Sequence, residues 1–188
     1  HPEWAMVYGE GEHIDANGNA LGRYPTQPPN AADFEQGCCI CQPTVFFKRT
    51  MWLLLGQLDT QLGAAFDFDY WLRAFEAFPD RIGYLQTLQA CSRLHEGCIT
   101  RNQRRRVALE AMKVLARHQG SAPGHWLLTY QEELRHQGMS PETVADEIRH
   151  SLDEVKPFMT THAWQAIATS ILDKLDLSLS THSRGPSA

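Results

Sequence analysis

The sequence predicts an α/β protein with an added helical tail. Three observations carry this. Short runs rich in β-branched and aromatic residues alternate with amphipathic helical patterns over the first 118 residues. Residues 119–124 form a small-residue linker. From 125 to 188 the pattern is helical only.

The first strand is expected at Trp4-Ala5-Met6-Val7-Tyr8. Ala16-Asn17-Gly18-Asn19 marks a turn, because Asn-Gly readily takes positive φ, so residues 14–24 read as a hairpin. The prolines between Pro25 and Asn30 demand an irregular loop, and Ala31 to Gln36 makes a helical turn at best. Pro43 to Arg49 reads as a second strand, and Thr50 as the cap of a helix running to Leu58. Asp67 to Phe78 reads as a helix with Trp71, Leu72 and Phe75 on one face, stopped by Pro79-Asp80. A further strand falls within Ile82–Leu94, and a helix within Arg101–Arg117. In the tail, helices are expected over Trp126–Gln137, Pro141–Val155 and Ala163–Leu175. Ser140 as N-cap, Pro141 at the first helical position and Glu142 beside the positive helix end fix the start of the second. Ser178 to Ala188 is polar and expected to fray.

Composition excludes several classes. The net charge is −5 and the cations are scattered, which argues against nucleic acid as a partner. No apolar run approaches the ~20 residues needed to span a bilayer. Five cysteines, an odd count without a secretory segment, point to reduced thiols and a cytoplasmic location. Cys38, Cys41, Cys91, Cys98 and His95 offer a zinc site only at poor spacing; small buried thiols are the simpler account. The start at His1-Pro2 suggests a piece of a longer polypeptide.

Three constellations bear on chemistry. Phe66-Asp67-Phe68-Asp69-Tyr70-Trp71 sets two carboxylates among aromatic rings at a helix start. Read locally, this is a helix cap with a solvated neighbour; partial burial would also make Asp67 a better base. Arg93-Leu94-His95-Glu96-Gly97, with Arg101 and Arg104 to Arg106 after it, suits a diphosphate or a metal, or is an exposed loop before a solvated cationic face. Glu10-Gly11-Glu12 mimics an acid-x-acid metal motif, and equally fits a solvated strand end.

Taken in order, four segments resemble glycosyltransferase family 2, the GT-A type that uses nucleotide-diphosphate sugars. His1-Pro2 through Val7-Tyr8-Gly9-Glu10-Gly11-Glu12-His13-Ile14-Asp15 is similar to the family's H-P-x-x-x-x-V-Y-G-D-x-D-x-I-D strand. Ile40-Cys41-Gln42-Pro43-Thr44-Val45-Phe46-Phe47-Lys48-Arg49 is similar to I-x-Q-P-T-V-F-F-R-R. Asp67-Phe68-Asp69-Tyr70-Trp71-Leu72-Arg73 is similar to D-Y-D-L-W-L-R, and Arg93-Leu94-His95-Glu96-Gly97 to R-x-H-x-G. The matches cover residues 1–117 and leave the tail unexplained.

The resemblance implies the C-terminal part of a GT-A fold over residues 1–118, with 119–124 as linker and 125–188 as tail. It implies Asp67 as the catalytic base in an inverting displacement; position 66 is Phe where the family often has Glu. Gln42, Asp69 and Arg93 are expected to serve substrate binding, and His95 to touch a divalent metal, Mg²⁺ or Mn²⁺. The implied partners are a nucleotide-diphosphate sugar donor and a sugar or lipid-linked acceptor. The family's donor-binding half and its acid-x-acid motif lie upstream of these segments, so the chain alone is expected to be inactive. Two alternatives stand beside this: a non-catalytic interaction module using the tail helices, which needs an apolar stripe left exposed on them, and a small zinc-binding regulatory domain.

Overall fold

The computed structural model describes residues 1–30, 34 and 36–182, with side chains as far as residue 175. It divides into two compact units, His1–Asn102 and Gln103–Ala188. The helix expected within Arg101–Arg117 therefore groups with the tail helices rather than with the α/β part. Most of the helical turn expected at 31–36 lies outside the described residues.

The first unit is built on β1 (Met6–Ile14). Asp15 turns the chain at its end: Oδ1 accepts from the Asn17 and Asn19 N–H groups, each at 2.8 Å, and Gly18 takes φ +92°. This returns the chain as β2 (Ala20–Arg23), antiparallel to β1, as the Asn-Gly signal predicts. Strand β4 (Ile82–Arg93) runs parallel to β1 along its full length, so β2 and the two-residue β3 (Phe46–Phe47) must share the opposite edge. The sheet is thus open and mixed.

The strand expected over Pro43–Arg49 is mostly absent. Gln42–Thr44 forms a 3₁₀ turn instead. Pro43 has no N–H to give to a ladder, and Thr44 is buried with its hydroxyl donating to the Cys41 carbonyl at 2.8 Å. The same oxygen accepts the Gly9 N–H at 3.3 Å, filling the gap between β3 and β2 on the edge of β1. On the other edge, β4 is irregular where Gly9, Glu10 and Gly11 face Leu85, Leu88 and Ala90. Gly9 is required there, since a Cβ would lie 2.9 Å from the Leu85 carbonyl oxygen.

Helix α1 (Arg49–Leu55) begins one residue before the expected cap; Lys48 occupies the N-cap position, and no side chain caps it. Helix α2 (Phe66–Ala77) follows the predicted pattern. Phe68, Trp71, Leu72 and Phe75 are buried, and Phe34 stacks on Phe75 at 4.7 Å and meets Phe68 edge-on at 5.3 Å. Each such ring contributes roughly 1.5–3 kcal/mol by leaving water. One further helical turn, α3 (Ile99–Asn102), ends the unit.

The second unit is all helical: α4 (Arg104–Gln119), α5 (His125–His136), α6 (Pro141–Val155) and α7 (Thr161–His182). Gly120 ends α4 in the left-handed region at φ +72°, its N–H bonded to the Ala116 carbonyl. Ser140 caps α6 as expected, accepting the Thr143 N–H at 3.2 Å. Met112, Leu115, Leu127, Ile148, Val155 and Ile171 form the core. Arg105 ties α4 to α6 by pairing with Glu147 at 2.6 Å and Glu154 at 2.5 Å. Helical backbone continues through the polar stretch to His182; the rest of the segment expected to fray lies outside the described residues. No helix among the described residues is long and apolar enough to cross a membrane.

Candidate active site

Asp67 is the second residue of α2, where free backbone N–H groups gather. Its Oδ1 accepts the Phe68 N–H at 2.8 Å. That bond favours the carboxylate, but burial outweighs it and holds the pKa above the ordinary carboxylate value. Among the described residues no cation pairs with Asp67.

Tyr24 and Cys38 lie close enough to Asp67 to feel its charge. Burial is the main cause that pushes both of these groups up, and Asp67 adds to it. Both therefore stay protonated and neutral near pH 7. Tyr24 is fixed by its N–H, which donates to the Gly11 carbonyl at 3.0 Å, and by the His13 ring at 5.1 Å. Gly11 lets Cys41 pack directly on the strand: a Cβ there would collide with Cys41 Sγ and lie 2.8 Å from Cys41 Cβ and 3.3 Å from Tyr24 Cβ. Burial pushes the Cys41 thiol up to about 11.

No sequence pattern places Tyr24 or Cys38 beside Asp67. Gly11 marks only the close approach of Tyr24 and Cys41 to β1, not their nearness to Asp67.

Asp69 is buried, and its Oδ2 accepts from Arg73 Nε at 3.0 Å and lies 3.0 Å from Nη2 in an ion pair. Arg73 also donates to the Leu55 carbonyl at 2.7 Å and the Gln57 carbonyl at 3.0 Å, so the pair binds the end of α1 to α2. Arg93 closes the hairpin turn, with Nη1 donating to the Asp15 and Ala16 carbonyls at 2.8 and 2.9 Å. Gln42 stands exposed in the 3₁₀ turn. His95 is exposed in the loop after β4, and its Nδ1 accepts the Gly97 N–H at 3.1 Å. Among the described residues no hydrogen bond or ion pair joins Asp67 to Gln42, Arg93 or His95.

Among the described residues no three His, Cys, Asp or Glu side chains come together as a metal would need, and His95 offers one imidazole. Among the described residues the cysteines form no such group either: Cys38 Sγ donates to the Ile40 carbonyl, Cys98 Sγ to the Arg93 carbonyl, and Cys41 packs on Gly11.

A cleft of about 390 Å³ opens elsewhere on this unit, lined by Trp4, Val7, Phe46, Phe47, Lys48 and Leu85 among others; Asp67 is not part of its wall. Compared with protein-family models and with curated proteins, the chain matches none.

Proposed function

We propose that this chain is the acceptor-side part of a family 2 glycosyltransferase of GT-A type, acting in the cytoplasm with Asp67 as general base. The observation that supports this best is the environment of Asp67. A carboxylate on the first turn of a helix, partly dehydrated and without a cation, keeps more proton affinity than a solvated one. The four ordered segments that resemble the family support the same reading.

In this proposal a carboxylate oxygen of Asp67 takes the proton of an acceptor hydroxyl. The hydroxyl oxygen forms its bond to the anomeric carbon from the face opposite the nucleotide. The bond to the nucleoside diphosphate breaks, and the diphosphate leaves with the electron pair. One displacement inverts the anomeric configuration. Tyr24, neutral beside Asp67, offers a hydroxyl to orient the acceptor. The donor and its divalent metal are held by residues outside this chain, so the 188-residue chain alone transfers no sugar.

The test is a panel of nucleotide-diphosphate sugars offered to the protein that carries this chain, read by release of nucleoside diphosphate. The anomeric configuration of the product is then read by NMR. Inversion is expected. A retained configuration would sink the mechanism, and robust transfer by the isolated chain would sink the division of labour.

The alternative, an interaction module using the tail helices, asks for an exposed apolar stripe. Among the described residues Leu127, Val144, Ile148, Leu152 and Ile171 turn into a shared core, while half-exposed Leu128 and Ile167 line a cleft of about 400 Å³ between α5 and α7. Phe158, the large apolar side chain left exposed there, sits under the cations of Lys113 and Arg117.

A further inference from the structure

We propose that the tip formed by β3 and α1 docks onto an anionic lipid surface. The inference does not rest on sugar transfer. Its starting point is exposure where a folded protein seldom leaves it. Leu53 is 68% and Leu54 73% exposed, on a seven-residue helix that buries only Met51, and Phe46 and Phe47 beside them are exposed as well. The apolar surface continues into the cleft walled by Trp4, Val7 and Leu85.

The tip is rigid. Phe47 stacks on Trp52 at 6.4 Å, Trp52 meets Tyr70 at 5.7 Å, and Arg73 holds the carbonyls of Leu55 and Gln57. The backbone that carries Leu53 and Leu54 is therefore tied to α2, which lowers the ordering cost of docking.

Charge selects the occupant. The chain carries −5 overall, yet no acidic residue occurs from Gln36 to Leu58, and Lys48 and Arg49 stand at the base of the tip. Lys48 Nζ donates to the Pro2 carbonyl, which fixes that cation in place. Arg49 lies one helical turn before Leu53 and shares its face. An apolar pair flanked by cations matches the boundary between acyl chains and anionic headgroups, where such side chains enter by roughly 5–10 Å. A second copy of the chain related by a two-fold axis would bring the same cations face to face, which disfavours self-docking.

The experiment is flotation of the protein that carries this chain with phosphatidylglycerol/phosphatidylcholine vesicles, and with phosphatidylcholine vesicles alone. Binding is expected with the anionic vesicles and is expected to weaken with salt. The double substitution Leu53→Gln/Leu54→Gln should lower the partition coefficient on the order of tenfold. Arg49→Gln should lower it about fivefold on anionic vesicles only. Both variants should keep the wild-type melting temperature; a lowered one would set these side chains against the rest of the protein and overturn the proposal. Failure to float with anionic vesicles, or flotation unchanged in the leucine variant, overturns the proposal. So does a dimer that the leucine variant dissolves in the absence of vesicle binding; a second copy would then be the occupant.

Discussion

Arg73 pairs with Asp69, not with Asp67. The guanidinium reaches Asp69 Oδ2 at 3.0 Å and spends its remaining donors on two carbonyls at the end of α1. Two carboxylates two positions apart thus serve different ends. Asp69 is neutralised and binds two helices together, whereas Asp67 is left partly dehydrated and, among the described residues, without a counter-ion.

The Arg73 pair predicts a stability effect. Arg73→Ala removes the partner of a mostly buried carboxylate and strands two carbonyls, and should cost about 2–4 kcal/mol in urea unfolding of the first unit. The m-value should not change. A cost below about 0.5 kcal/mol would show the pair to be an ordinary surface contact.

Asp67 predicts a pH dependence of opposite sign to that of a salt-bridged carboxylate. Its folded pKa is raised above the ordinary value of 3.8. The stability tied to the protonated group is whole below 3.8 and is lost as pH rises through the raised folded value. Asp67→Asn lacks this titration. Its stability relative to wild type should therefore climb from about pH 4 upward and then level. Unfolding free energies across a pH series measure this, and a relative stability that falls with pH would contradict it.

Gly11 predicts a steric coupling. Gly11→Ala places a methyl against Cys41 and should destabilise the first unit by about 1–3 kcal/mol. Cys41→Gly removes the two nearest of the three atoms that the methyl meets and leaves Tyr24 Cβ at 3.3 Å. A double-mutant cycle should then show the two changes partly cancelling, with a coupling of about 0.5–3 kcal/mol. Simple additivity would mean the strand relaxes away from Cys41.

In the helical unit, Ser140→Ala removes the hydroxyl that accepts the Thr143 N–H. The expected loss is about 1 kcal/mol, read from thermal unfolding, and Ser140→Asp should restore it.

Local chemistry made much of this fold legible. Trp71, Leu72 and Phe75 announce α2 by their spacing, Asn17-Gly18 the hairpin, and Ser140-Pro141 the start of α6. Each signal is complete within a few residues. One local reading failed where contacts from afar decided the outcome. Thr44 turns inward to serve Gly9 and Cys41, so a β-branched, aromatic run becomes a 3₁₀ turn with a two-residue strand. The parallel pairing of β1 with β4, and its irregularity opposite Glu10, depends on residues far apart in sequence. The same holds at the site. Asp67 could be singled out among its aromatic neighbours, but Tyr24 and Cys38 reach it from separate loops, and nothing local to either residue points to Asp67.

The central claim is that Asp67 is a base. It is tested most directly by turnover and donor affinity measured side by side for wild type and Asp67→Asn, in the protein that carries this chain with its donor-binding part. Asn keeps the shape of the side chain and cannot take the proton. The account predicts that kcat falls by about 10²–10⁴-fold while the donor Kd stays unchanged. Near-normal turnover in the Asn variant would contradict it.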